Sequence, residues 1–134
     1  MDRSAILGTV REALQATDEG TLTAYLFGSF GRGEEDERSD VDLGVLYAED
    51  PPGTLDSPPR RLEDRLARAL DRDVQVVALN RASCDLVHRV LRDGILLLDR
   101  DPSARIEFEV RKRREYYDLL PILEEYRRFS GRSA

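Results

Sequence analysis

Gly28-Ser29-Phe30-Gly31-Arg32-Gly33 and, a short polar stretch later, Ser39-Asp40-Val41-Asp42-Leu43 are the segments on which the fold turns. The first follows Leu22-Thr23-Ala24-Tyr25-Leu26-Phe27, which is apolar on both faces, as an inner strand covered on two sides is. That strand ends abruptly at Gly28-Ser29. A buried strand turning there into a short helix leaves backbone N–H groups and a hydroxyl pointing outward, an arrangement that suits an anion. Glycine lets a phosphate approach the main chain, and the Ser29 hydroxyl can donate to a phosphate oxygen. Gly-Ser turns are common, so the turn alone decides little.

Asp40 and Asp42 change its weight. Residues two apart in an extended segment project from the same face, so both carboxylates address one small volume while Val41 points into the core. Crowded carboxylates repel each other unless a cation sits between them. Mg²⁺ takes hard oxygen ligands and completes its shell with waters and substrate phosphates. An isolated Asp-x-Asp beside a turn is ordinarily a surface feature. Here the pair enters the apolar strand Val41-Asp42-Leu43-Gly44-Val45-Leu46-Tyr47, with ten residues between Ser29 and Asp40.

Working outward, Ile6, Leu7, Val10 and Leu14 at helical spacing predict an amphipathic helix over residues 3–16, with Gly20 as its stop. Beyond the second strand, Glu49-Asp50-Pro51-Pro52-Gly53 is a turn, and Ser57-Pro58-Pro59 caps a helix over 58–70 with Leu62, Leu66, Ala69 and Leu70 inward. Val74 to Leu79 forms a third strand, Ala82 to Leu91 a further helix, and Gly94 to Leu98 a short strand. Asp101-Pro102 opens a long helix carrying Ile106, Val110 and Tyr117 along one side, which Pro121 should kink or restart. Leu123, Tyr126 and Phe129 then either pack back on the domain, the preferred expectation, or form a contact surface. The order α-β-α-β-α-β-α-β-α predicts an α/β (α+β) fold: a small mixed sheet flanked by helices, with a long C-terminal helix.

A chain of 134 residues, 40% hydrophobic, suits one core. One domain over 1–134 is expected, with 102–129 as a helical extension. Lys and Arg number 21 against 27 Asp and Glu, a formal charge of −6, so the surface as a whole repels nucleic acid. A nucleotide site must carry its own local cations. The single Cys84 excludes an internal disulfide and a cysteine-rich zinc site, in keeping with a reducing compartment. With no membrane-length apolar stretch and no signal-peptide core after Met1-Asp2-Arg3, a cytoplasmic location is expected.

The run Gly28-Ser29-Phe30-Gly31-Arg32-Gly33 through Ser39-Asp40-Val41-Asp42-Leu43 resembles the Gly-Ser-x-x-Arg-Gly…Ser-Asp-x-Asp-Leu pattern of the minimal nucleotidyltransferases, small relatives of DNA polymerase β-like and kanamycin nucleotidyltransferase enzymes. The resemblance continues more loosely through the third strand, Leu91-Arg92-Asp93-Gly94 and the C-terminal helix. It implies a polymerase β-like fold in which Gly28 and Ser29 hold the β- and γ-phosphates of ATP or another nucleoside triphosphate. Arg32, Gly33 and Ser39 would lie at the nucleotide, and Asp40 and Asp42 would bind two Mg²⁺ ions. The implied chemistry is attack of a hydroxyl on the α-phosphate with departure of pyrophosphate. Arg32 is open to a second reading, a helix-surface ion pair.

The chain departs from that pattern on the third strand. Relatives carry a further carboxylate there, which ligates a metal and helps activate the attacking hydroxyl; this chain reads Asp73-Val74-Gln75-Val76-Val77-Ala78-Leu79. Gln75 stands at the expected acid. Its carbonyl oxygen can reach a metal but cannot accept a proton at useful pH. Asp73, one pleat repeat or about 6.5 Å away, is either a substitute or a polar strand-start residue, with the second preferred. Asp85 sits where helix-start acids commonly do. His88 reads as a packed or partly exposed histidine, Cys84 as an inert thiol, and Arg111-Lys112-Arg113-Arg114 as a solvated face balancing Glu107, Glu109 and Glu115, with a partner contact as the alternative.

Many stand-alone minimal nucleotidyltransferases are antitoxins that adenylylate a tyrosine of a HEPN-domain ribonuclease toxin. The resemblance therefore implies such a partner as acceptor. Gln75 raises a second reading, a weakened relative that neutralises its partner by docking alone.

Overall fold

The structure, a computed structural model, describes residues 1–132. Its elements are α1 (Arg3–Ala16), β1 (Thr21–Phe27), α2 (Gly28–Arg32), β2 (Val41–Tyr47), α3 (Pro58–Leu70), β3 (Val74–Ala78), α4 (Cys84–Asp93), β4 (Ile95–Asp99) and α5 (Pro102–Arg132). The four strands form one mixed sheet in the order β3-β2-β1-β4. β1 runs antiparallel to β2 and β4, whereas β2 and β3 are parallel. This is the α/β architecture expected from the element order.

Helices cover both faces of the sheet. Ile6, Val10 and Leu14 of α1 and Leu62 and Leu66 of α3 pack on Leu26, Leu43 and Val45. On the other face, Val87 and Val90 of α4 and Phe108 of α5 pack on Tyr25, Leu46 and Leu79. The continuous apolar runs of β1 and β2 follow from this double cover. Gly44 is part of the fit, since a Cβ there would lie 3.0 Å from Leu79 and 3.3 Å from Val90. Asp42, Gly44 and Leu46 share the α4 face, because alternate residues of a strand do.

Local signals set most boundaries. The Asp2 side chain accepts from the Ala5 N–H and the Ser83 hydroxyl accepts from the Leu86 N–H, capping α1 and α4. Pro58 and Pro59 open α3 behind Ser57. Arg100 closes the end of β4 by donating to the carbonyls of Leu14, Gln15, Thr17 and Thr21.

In α5 a restart at Pro121 and the expected inward face both fail. The helix continues through Pro121 without a restart. The missing N–H of Pro121 releases one carbonyl, that of the exposed Tyr117, which water can satisfy. The inward face is not Ile106, Val110 and Tyr117, which are 51%, 42% and 61% exposed; Phe108 and Tyr116 are buried instead. Tyr116 stacks on His88 of α4 with ring centroids 3.6 Å apart, and Tyr25 of β1 donates to Glu109 at 2.6 Å. These contacts fix the helix rotation against its strongest apolar stripe. Tyr126 is exposed and Leu123 half-buried, so the expected packing of the tail does not extend to Tyr126.

Candidate active site

The site begins where three strands line up. Phe27, the last residue of β1, is the register partner of Asp42, and Asp42 is the register partner of Gln75 on β3. Gly28 follows Phe27 with φ of 65°. A Cβ at Gly28 would collide with the Asp42 carboxylate. Glycine is thus required twice, for backbone conformation and for room beside the acid.

α2 then runs close to the backbone around it. A Cβ on Gly31 would lie 2.8 Å from the Asp93 carbonyl oxygen and 2.9 Å from that of Leu26. This second glycine lets α2 sit against both the end of β1 and the junction of α4 with β4. Gly33 ends α2 in the left-handed conformation, its N–H donating to the Phe30 and Ser29 carbonyls. Its glycine is explained by this cap.

Two arginines hold the loop between α2 and the acid pair. Arg3 of α1 donates to the Phe30 carbonyl at 3.0 Å and pairs with Glu35. Arg72 donates to the carbonyls of Ser39 at 3.0 Å and Asp36 at 3.3 Å, with its guanidinium 5.4 Å from the centre of the Phe30 ring. The Ser39 hydroxyl accepts from the Asp36 N–H at 2.9 Å. Ser39 shapes the approach to Asp40 from within this turn and does not line the cleft.

Asp40 is exposed and Asp42 half-buried. The Asp42 carboxyl is held above its ordinary pKa, first by burial and then by the charge of Asp40, with Arg32 opposing. Burial and the neighbouring acid together outweigh the pull of Arg32. Gln75 is the register partner of Asp42, and the oxygens of Asp40, Asp42 and Gln75 are hard donors of the kind a divalent cation such as Mg²⁺ takes. No group of three His, Cys, Asp or Glu converges as a metal site among the described residues. The Asp73 carbonyl accepts from the Val41 N–H and its residue lies outside the cleft lining, while Asp85 pairs with Arg127.

A cleft of about 410 Å³ opens here, lined by Gly28, Asp42 and Gln75 together with Arg32, Arg89 and Arg92. Phe27, Val77 and Leu86 form its apolar part. Here are the local cations that an acidic chain needs to hold a polyphosphate. Arg92 makes two 2.9 Å hydrogen bonds to Asp93, holding that carboxyl below its usual range. Arg32 reaches Glu34 at 3.1 Å and Asp93 at 4.0 Å, so it is both ion-paired and at the cleft. Arg89 has no carboxylate partner among the described residues and is exposed.

Arg89, Arg92 and Asp93 were not singled out from the sequence as site residues. The available signal was the i, i+3 spacing of the two arginines on a helix whose apolar residues face the sheet. His88 and Cys84 take structural places: His88 stacks on Tyr116, and burial chiefly raises the Cys84 thiol pKa, which keeps it protonated. The basic run is balanced within α5, with Lys112 reaching Glu115 at 3.2 Å and Arg113 reaching Glu109 at 3.5 Å.

A strand-to-helix glycine turn against an acid pair, in an arginine-lined cleft of a mixed sheet, defines a nucleotide-handling phosphotransfer fold. The chain belongs to the polymerase beta nucleotidyltransferase family, whose sequence profile matches residues 10–103. It is 44% identical over 71 residues to the protein adenylyltransferase MntA of Shewanella oneidensis, a match covering 52% of this chain and 48% of that protein. The chain thus spans about half the length of that curated relative. A crystal structure of a toxin-antitoxin with AMP-PNP superposes with a TM-score of 0.72 at 27% identity, covering 90% of this chain and 97% of the other. A structure presented as a candidate minimal nucleotidyltransferase does so with a TM-score of 0.58 at 34% identity, covering 71% and 95%. Among the described residues no helix is long and apolar enough to cross a membrane.

Proposed function

We propose that this chain is a Mg²⁺-dependent nucleotidyltransferase that moves AMP, or another nucleoside monophosphate, from a nucleoside triphosphate to a protein hydroxyl. The proposed acceptor is a HEPN-type ribonuclease toxin, for which the chain serves as antitoxin. The observation that carries the reading is the apposition of Gly28 to Asp42 inside the arginine-lined cleft. Support also comes from the likeness to a protein adenylyltransferase and to a toxin-antitoxin crystallised with a nucleoside triphosphate analogue.

In this reading Gly28 and Ser29 receive the β- and γ-phosphates, and Arg32, Arg89 and Arg92 neutralise them. Arg92 would exchange part of its pairing with Asp93 for a phosphate. Asp40 and Asp42, with Gln75 beside them, would hold the metal, which when bound neutralises charge at the transferring phosphoryl group and orients its oxygens. The acceptor oxygen forms a bond to the α-phosphorus, and the bond from that phosphorus to the bridging oxygen of the β-phosphate breaks. Pyrophosphate carries away the electron pair, and the hydroxyl proton passes to water. Gln75 cannot take that proton, because a neutral amide is not a base at useful pH.

The direct test incubates the protein with α-labelled ATP, Mg²⁺ and a co-expressed HEPN-type partner, and looks for label on the partner. Label is expected, and it should vanish in Asp40→Asn/Asp42→Asn. The second reading, neutralisation by docking alone, is favoured by one observation: Gln75 occupies the register position beside Asp42, and no third acid joins the pair among the described residues. A stable, inhibited complex that never acquires label would establish it.

A further inference from the structure

A second groove of about 420 Å³ lies at the open edge of β3, lined by Pro51, Pro52, Leu55, Arg60, Gln75 and Arg81 among others. It meets the nucleotide cleft at Gln75, which lines both. Three features follow one another across the sheet: the Gly28-Ser29 turn after β1, Asp42 on β2, and Gln75 on β3. At about 4.8 Å per strand, this row is roughly 10 Å wide. If pyrophosphate leaves at the β1 end, as the proposed function has it, an in-line displacement brings the nucleophile from the β3 end. Among the described residues, the groove that adjoins Gln75 on that side is this one.

The groove also constrains what can occupy it. The outward N–H of Val76 on the edge strand already donates to the Glu63 carboxylate at 2.9 Å, and the Ala78 carbonyl accepts from the Arg81 N–H at 3.2 Å. Strand pairing is blocked at these two positions, so side chains must recognise the occupant there. Arg60 shares Glu63 at 3.4 Å, while Arg81 has no carboxylate partner among the described residues. The balance is cationic and favours acidic groups. None of the described lining residues is aromatic, so the groove lacks a platform for stacking the bases of a nucleic acid.

We propose that this edge groove is the acceptor site, that it takes a hydroxyl-bearing polypeptide segment flanked by acidic side chains, and that Arg81 is its specificity-determining cation. The proposal rests on the nucleotidyl-transfer reading for its direction of attack, yet binding to the groove is measurable without turnover. The probes are two fluorescein-labelled pentapeptides with a central tyrosine, flanked by glutamates in one and by lysines in the other, and an oligoadenylate RNA. Fluorescence anisotropy on wild type with Mg²⁺ and a non-hydrolysable ATP analogue should show the glutamate peptide binding at least tenfold more tightly than either other probe. Arg81→Glu should abolish that preference while calorimetric affinity for the analogue stays within twofold; Arg81→Ala, a milder change, should weaken it.

Equal binding of the three probes, preference for RNA, or an unchanged glutamate-peptide affinity in both Arg81 variants would overturn the groove assignment. Loss of nucleotide and peptide binding together in a folded Arg81→Glu would do so as well, by showing that Arg81 belongs to the nucleotide cleft. Failure of the transfer reading appears differently, as normal peptide preference without label on any acceptor.

Discussion

The α-carbon of Gly28 faces the Asp42 carboxylate so closely that one methyl group cannot be placed between them. Gly28→Ala should therefore act on the acid as well as on its own backbone. The left-handed conformation alone costs a residue with a Cβ about 1–2 kcal/mol. The steric contact should push Asp42 out of line with Gln75. Expected outcomes are a lowered Tm and at least tenfold weaker Mg²⁺-dependent ATP binding by calorimetry. Wild-type ATP affinity in this variant would show that the apposition is not part of the site.

The raised pKa of Asp42 predicts a stability cost in the metal-free protein. A carboxyl whose folded pKa lies above its unfolded value, about 3.9, favours folding when protonated; that contribution is full below about pH 4 and is lost as pH rises through the folded value. Asp42→Asn should accordingly have a higher Tm than wild type at neutral pH without metal. The gap should close as pH falls below about 4. Mg²⁺ should raise the Tm of wild type and not of the variant. A lower Tm for Asp42→Asn in metal-free neutral buffer would contradict the assigned cost of burying this charge beside Asp40.

Gln75→Asp changes one functional group at the register partner of Asp42. It supplies an anionic ligand and a proton acceptor at nearly unchanged geometry, and transfer to the acceptor should rise. A tenfold gain corresponds to about 1.4 kcal/mol of transition-state stabilisation. Asp73→Asn should leave the rate within about twofold, because Asp73 lies outside the cleft. Abolished transfer in Asp73→Asn, with Gln75→Asp inert, would move the third acid one pleat repeat along β3.

The far end of α5 offers Ile122 and Tyr126, 63% and 72% exposed, as a surface for the proposed HEPN-type partner. Ile122→Asp/Tyr126→Asp should leave Tm nearly unchanged, since neither side chain is buried. It should weaken co-elution with the partner in size exclusion. Truncation after Asp101 is a poor test of this surface, because it also removes the buried Phe108 and Tyr116. A complex undiminished by the double substitution would exclude this face.

Much of this was legible in the sequence for identifiable reasons. β2 and α3 begin and end where expected, because Pro58-Pro59 and the turns around them are local signals. Gly28, Asp40 and Asp42 were legible because a turn and an i, i+2 pair carry their geometry with them. Arg89 and Arg92 were not, since they reach the cleft only when α4 packs on the sheet over β1. The buried face of α5 was misread because Phe108 and Tyr116 stand eight apart with charged Glu109 and Lys112 between them. The contacts with His88 and Tyr25, not an apolar period, orient that helix.

The Glu63 carboxylate that occupies the outward N–H of Val76 comes from α3, not from the strand that it protects. The shield therefore depends on a neighbour's attachment. Heating that loosens α3 before the sheet melts would leave the Val76 N–H unsatisfied on a short, valine-rich edge, and such edges template association between chains. Irreversible loss on heating should then proceed through oligomers that grow with protein concentration, and Glu63→Ala should produce them at a lower temperature than its modest effect on reversible unfolding would suggest.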